Sequence, residues 1–266
     1  MQTEDYTSGD AFQREKRTVF STEWLPVCAE AQLAGPGDFV ALSVGGWGVV
    51  AVRDKAATLR VLRNACRHQN MSVVAMPAGR YEIFRCRFHG WTYDLQGRFV
   101  GAPNPVAPAD PASPDNDMQV LRADCRSGIV FFSLGPQASP PPALAEALPA
   151  YGGTITTEMA CNWKVCIEHL LSRDAAWHWP ILALRSEAGG VTVIEQVVPH
   201  TFLRTRLLTH VFGATVGTQS PSVEAFKQVC ERLQLDRNAG VMANGDNAGV
   251  AAFHRRLADA EGGEQP

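Results

Sequence analysis

The sequence predicts an α+β protein in two successive parts: a small antiparallel β domain presenting two metal-ligand loops, then a second α+β domain. Three observations carry this. Phe39 to Arg53 is Val-rich and alternating, which reads as two strands around a Gly45-Gly46 turn. Two short ligand pairs, Cys66-x-His68 and Cys86-x-x-His89, stand seventeen residues apart. Strong helical patterning is confined to the end of the chain, where Val223, Phe226, Val229 or Cys230, and Leu233 form an apolar stripe.

Taken in order, residues 1–18 have little apolar periodicity and are expected as a loose arm. Residues 19–135 form the first domain, with strands at Phe39–Arg53, Leu59–Leu62, Tyr81–Arg85 and Gly128–Leu134. Gly46 to Ala51 formally matches the dinucleotide fingerprint G-x-G-x-x-A, but strand follows where a helix is required. A connector over 101–118 is too rich in proline for helix or central strand. Residues 136–266 form the second domain. It is read as a short helix over Ala143–Leu148, paired strands at Val191–Val198 and Thr201–Val211, a helix capped by Ser220 with Pro221 at its first position, and a helix from Asn247 to about Ala260 that buries Val250, Phe253 and Leu257.

Composition narrows the function classes. The 266 residues carry a net charge of −3 and no basic stripe, which argues against nucleic acid. No apolar run reaches the roughly 18 residues of a membrane span, and the N-terminus shows no apolar core of a secretory signal. A cytoplasmic location is expected. Of the seven cysteines, Cys28, Cys125, Cys161, Cys166 and Cys230 read as reduced core thiols.

The remaining two cysteines sit in the ligand pairs. Two thiolates and two imidazoles suit zinc, or a [2Fe–2S] cluster with Cys₂ on one iron and His₂ on the other. Zinc fingers usually keep both cysteines in one pair, whereas here each pair is mixed and can give its Cys to one iron and its His to the other. Structural zinc is the competing reading. The run from Phe88 to Asp94, with Trp91 and Tyr93, is expected to shield a cluster from water.

The full pattern, C-x-H-x17-C-x-x-H-G-W-x-Y-D, resembles the Rieske motif of ring-hydroxylating-type non-haem iron oxygenases. The resemblance implies an antiparallel β Rieske domain with Cys66, His68, Cys86 and His89 as [2Fe–2S] ligands. It also implies a helix-grip catalytic-like domain, here shortened, entered at Asn162-Trp163-Lys164. In that family the entry continues N-W-K-x3-E-N-x3-D-x2-H-x4-H and supplies ligands to a mononuclear iron. Here Glu168 matches, His169 replaces Asn, and Arg173, Ala176 and Ile181 stand at the Asp and two His positions. The late acidic position falls near Ala225-Phe226, if Gln234 is the family's C-terminal Gln. Asp174 and His178, with His169 and Glu195, His200 or His210, are the candidates for a displaced site. The segment between Pro180 and Val191, where the family inserts pocket elements, is nearly empty.

The resemblance therefore implies a Rieske subunit of a hetero-oligomeric, trimer-based oxygenase ring. Such a subunit takes electrons from a reductase or ferredoxin and passes them to a mononuclear Fe(II) held by a catalytic partner chain. The alternatives are a minimal oxygenase with a displaced iron site, acting on a small molecule, and a soluble Rieske electron carrier. The roughly 150 residues outside the Rieske domain weigh against the carrier.

Overall fold

The computed structural model describes all residues except 136–140, 142, 143, 145–147, 174, 217–220, 243–246 and 263–266. The chain divides into two compact units, one of Pro26–Leu134 and one of Met1–Leu25 with Gly135–Pro266. No helix among the described residues is long and apolar enough to cross a membrane.

The first unit is built of two β-sheets. Its strands are β1 (Leu25–Ala29), β2 (Asp38–Val44), β3 (Trp47–Arg53), β4 (Leu59–Arg63) and β5 (Ala78–Arg80), then β6 (Phe84–Arg85), β7 (Thr92–Tyr93) and β8 (Phe99–Gly101), and last β9 (Val120–Arg126) and β10 (Ile129–Ser133). Seven of them order as β1-β10-β9-β4-β3-β2-β5, while β6-β7-β8 form a small sheet of their own. Gly45 and Gly46 adopt φ of +55° and +79°, the pair of left-handed residues that a tight β2–β3 hairpin needs. Of the strand expected over Tyr81–Arg85, only Phe84–Arg85 is strand; Tyr81 instead follows β5, its amide donating to Gly37 at 3.0 Å and its ring stacking on Phe39 at 4.7 Å. The proline-rich connector folds back on itself, and Val106 within it accepts a hydrogen bond from Trp91 Nε1 at 2.8 Å.

Among its described residues, the second unit joins a five-stranded antiparallel sheet to five α-helices. The helices are α1 (Thr3–Thr7), α2 (Gly9–Thr18), α3 (Trp163–Leu171), α4 (Pro221–Asn238) and α5 (Ala248–Gly262); the strands are β11 (Tyr151–Met159), β12 (Ala176–His178), β13 (Leu182–Glu187), β14 (Val191–Thr201) and β15 (Arg204–Phe212). Strand order is β11-β15-β14-β13-β12. The sparse segment after Pro180 is strand β13, which pairs Leu184 with Ile194 of β14. Most of the helix expected at Ala143–Leu148, and the Ser220 cap, lie outside the described residues.

The N-terminal segment departs from the expected loose arm: it forms α1 and α2 and buries Tyr6, Ala11, Phe12 and Glu15. Its inward stripe escapes a hydropathy reading because Glu15 occupies a core position. That carboxylate accepts from Trp163 Nε1 at 2.7 Å and pairs with the fully buried Lys164 ammonium. A similar concealment affects α4. Val223, Phe226 and Cys230 face inward as expected, but the stripe continues through Gln234 and Arg237, both about 3% exposed.

Arg237 belongs to a buried network around Glu168. Tyr6 of α1 donates its hydroxyl to Glu168 Oε1. His254 of α5 reaches the same oxygen at 2.7 Å, and Arg237 Nη2 donates to Oε2 at 2.9 Å. One carboxylate on α3 thus ties together α1, α4 and α5. Burial alone would raise the Glu168 pKa, but the hydrogen bonds from His254, Tyr6 and Arg237 outweigh it and hold the carboxyl below its ordinary value. A depressed folded-state pKa contributes stability that is present above the unfolded value of about 4.3 and lost as pH falls through the folded one. Glu168→Gln should therefore destabilise the folded chain at neutral pH by about 3–5 kcal/mol, the range for breaking one side of a buried ion pair. In denaturant titrations the gap between variant and wild type should narrow as the solution is acidified below that range.

Candidate metal centre

The two ligand loops leave β4 and β6 and meet under a common core. Asn64, just past β4, folds the first loop: its Oδ1 accepts from the Val73 and Val74 amides at 3.1 and 2.9 Å, and its Nδ2 donates to the Val74 carbonyl at 2.7 Å. Cys66 closes the turn inside it, accepting from the Asn70 amide at 2.7 Å and donating to Met71 at 2.8 Å. The second loop is built the same way. The Cys86 amide donates to Trp91, and the Gly90 amide donates back to Cys86. Gly90 stands at φ +73°, and Pro103 lies 3.2 Å from where a Cβ would sit, so a side chain there would be strained and crowded.

These turns bring like atoms together. The Cys66 and Cys86 sulfurs are in contact, each only 2% exposed. His68 Nδ1 lies 3.2 Å from His89 Nδ1, with the rings edge to face. Two nitrogens bound to one tetrahedral metal ion at about 2.0–2.1 Å stand about 3.3–3.4 Å apart, so the imidazoles are already spaced as a chelating pair. Among the described residues no three His, Cys, Asp or Glu side chains gather as a single-ion site. The four are arranged two and two, which fits two irons of a [2Fe–2S] cluster rather than one zinc ion.

The surroundings are selective. Trp91, 4% exposed, stacks parallel to His68 with centroids 5.2 Å apart. The fully buried Tyr93 hydroxyl lies 3.1 Å from Cys66 Sγ and accepts from the Arg67 amide. Burial pushes the Cys66 thiol above its ordinary pKa, and Tyr93 pulls it back. Shielding by the aromatic run is partial: Phe88 is 57% exposed and points its ring outward, leaving Trp91 and Tyr93 as the cover. His68 and His89 are half-buried, so both rings keep an edge at the surface.

The second unit is different at the positions where iron ligands were sought. Arg173 and Ala176 are exposed, Ile181 is fully buried, Ala225 is exposed and Phe226 is buried. Asp174 lies outside the described residues. His178 is the last residue of β12, where burial lowers its pKa. His169 packs on Phe226 at 4.9 Å. Glu195 pairs with Thr209 across β14 and β15, whereas His210 pairs with Ile194. Neighbouring strand residues face opposite ways, so Glu195 and His210 lie on opposite faces of the sheet. His210 is also committed, with Nδ1 2.7 Å from Thr154 Oγ1 and Nε2 3.1 Å from Gln196 Oε1. His200 is exposed.

A family model, the Rieske [2Fe-2S] domain, matches residues 23–120. The chain is 40% identical over 98 residues to the benzene 1,2-dioxygenase subunit alpha of Pseudomonas putida, covering 37% of this chain and 22% of that one. It is 27% identical over 179 residues to the carnitine monooxygenase oxygenase subunit of Acinetobacter baumannii, covering 62% of this chain and 48% of the relative. The chain thus spans from about a fifth to about half the length of these relatives. In fold it resembles a quaternary ammonium Rieske monooxygenase, with a TM-score of 0.80 at 19% identity over 98% of this chain and 95% of that one.

The Tyr93 contact gives a direct test of the cluster environment. A hydrogen bond to a ligand sulfur stabilises the reduced form, whose sulfurs carry more negative charge. Tyr93→Phe should retain iron and labile sulfide but show a lower reduction potential in a redox titration followed by visible absorption. An unchanged potential would mean that the hydroxyl does not donate to sulfur in the loaded protein.

Proposed function

As this chain belongs to the Rieske non-haem iron oxygenase alpha-subunit family, we propose that it is the electron-relaying subunit of a hetero-oligomeric oxygenase. Cys66 and Cys86 hold one iron, and His68 and His89 hold the other. When bound, the cluster supplies one-electron transfer at a potential above that of all-cysteine clusters, because neutral imidazoles replace two thiolates. The chain's own residues set the conditions. Cys66 and Cys86 sit in a dry core, Trp91 fixes the His68 ring by stacking, Tyr93 supports a sulfur, and the half-exposed His68 and His89 edges offer the route out.

The observation that carries the relay reading is the fate of the family's iron segment. Glu168 is consumed by Arg237, His254 and Tyr6, and Arg173, Ala176 and Ile181 replace the expected donors. Ala and Ile have no lone pair to offer, and Arg brings only donors and a positive charge. The electrons then go to a mononuclear Fe(II) in a catalytic partner subunit of a trimer-based ring. They come from a separate reductase or ferredoxin, in the cytoplasm. The second reading, a complete oxygenase acting on a small molecule, draws support from the fold likeness to a monooxygenase over nearly the whole chain.

Metal analysis and turnover separate the two. Anaerobically purified chain should contain two irons and two labile sulfides and form no product in single-turnover assays with the cluster reduced. Co-expression with an iron-bearing homologue should yield a mixed assembly that does form product. Ala176→His should not restore activity to the chain alone, since the other ligands remain absent. A third iron, with product formed by this chain alone, would replace the relay reading with the complete oxygenase.

A further inference from the structure

Three of the cysteines expected to be inert core thiols converge in the second unit. Cys161 immediately precedes Asn162, which caps α3 by accepting from the Lys164 amide at 3.0 Å. Cys166 lies on the first turns of that helix. Residues just before the cap and at the fourth helical position are the two that commonly pack together as a staple at a helix start. Here both staple residues are cysteine, and their sulfurs lie 3.4 Å apart. Cys230 of α4 joins them in sulfur–sulfur hydrogen-bonding contact, and all three are fully buried.

We propose that Cys161, Cys166 and Cys230 form a redox-modification site that reacts with hydrogen peroxide to give a Cys161–Cys166 disulfide.

The geometry favours sulfur–sulfur chemistry over metal capture. Two thiolates on one zinc ion, each at about 2.3 Å, stand about 3.8 Å apart, and the Cys161–Cys166 pair at 3.4 Å is tighter than that. Closing from 3.4 Å to a disulfide of about 2.05 Å needs a movement of roughly 1.4 Å, within reach of side-chain rotation. The backbone at Cys161 can stay in place. Its carbonyl accepts from Thr205 Oγ1 at 2.8 Å, and the flanking Ala160 and Asn162 amides donate to Glu231 and Gln234 of α4 at 2.9 and 2.8 Å.

The protons are distributed to suit the reaction. Hydrogen bonds from Cys166 and then Cys230 lower the Cys161 pKa, whereas burial and donation to Cys161 raise that of Cys166. Cys161 is therefore the first of the three to lose its proton, and the thiolate is the nucleophile. Cys28 and Cys125 contrast with it, since burial raises both. The Cys161 thiolate attacks one peroxide oxygen. An S–O bond forms, the O–O bond breaks, and the departing hydroxide is protonated to water. The Cys166 sulfur then attacks the sulfenic sulfur, forming the S–S bond and releasing a second water. In sum two thiols lose two hydrogens and two electrons, and one peroxide becomes two waters. Because the sulfurs are buried, reaction proceeds through local opening of the first turn of α3. The product is a covalent staple two residues ahead of Glu168.

Peptide mapping tests this on the full, cluster-loaded chain, at peroxide levels that leave the circular dichroism unchanged. Free thiols are alkylated, the chain is denatured, and trypsin cuts after Lys164, between the two cysteines. The expected product is peptide 127–164 linked to 165–173, with Cys230 alkylated in 228–232; dithiothreitol should abolish the link. The rate should level off at high peroxide, as opening becomes limiting. Cys161→Ser should abolish linkage, and Cys166→Ser should redirect it to 228–232. The proposal is overturned if all three peptides are recovered alkylated, or if Cys28–Cys125 linkage equals or exceeds that of Cys161–Cys166. Neither result bears on the electron-relay reading, which concerns other cysteines.

Discussion

Two buried sulfurs and two imidazole nitrogens, each pair facing its own kind, are the constraint on which the first unit rests. Cys66 and Cys86 belong to the same hydrophobic cluster as Phe39, Leu62, Phe84 and Trp91, so the core of the sheet and the walls of the metal centre are one structure. Neutral thiols bury at little cost, but ionising them in such a core is penalised because a buried thiolate is poorly solvated. An iron bound by both sulfurs would offset that penalty, so metal loading would favour the loop conformations that the hydrogen bonds of Asn64 and Gly90 already space.

The second unit solves a different problem with a different charge. Glu168 sits on α3, and three side chains from three other helices claim it. Arg237 and His254 bring positive or donor character, and Tyr6 brings the N-terminal helix. Together with the buried Glu15–Lys164 pair, this makes the interior of the helical layer an ionic lattice.

The same sheet shows why proximity in sequence misleads on strands. Thr209 and His210 are neighbours, yet Glu195 stands opposite the first on one face while the second bonds Thr154 and Gln196 on the other. A displaced iron site assembled from Glu195 and His210 would need both faces at once. The period-two alternation of a strand forbids it.

What the sequence by itself determined was short-range. The β2–β3 hairpin, the two ligand loops and the inward residues of α5 follow from glycine conformational freedom, ligand spacing and helical periodicity, all expressed within a few residues of one another. Tertiary structure alone decided the rest. Tyr6 and Glu168 are separated by 162 positions, and Trp163 and Glu15 by 148, so neither partner's burial is visible in its own segment. Glu15, Gln234 and Arg237 carry no sequence signal of burial, because a polar side chain inside a protein is recognised only through the partner that satisfies it. Cys161, Cys166 and Cys230 read as separate core thiols for the related reason that Cys230 on α4 lies 64 positions beyond Cys166 on α3. Packing, not periodicity, put those three sulfurs together.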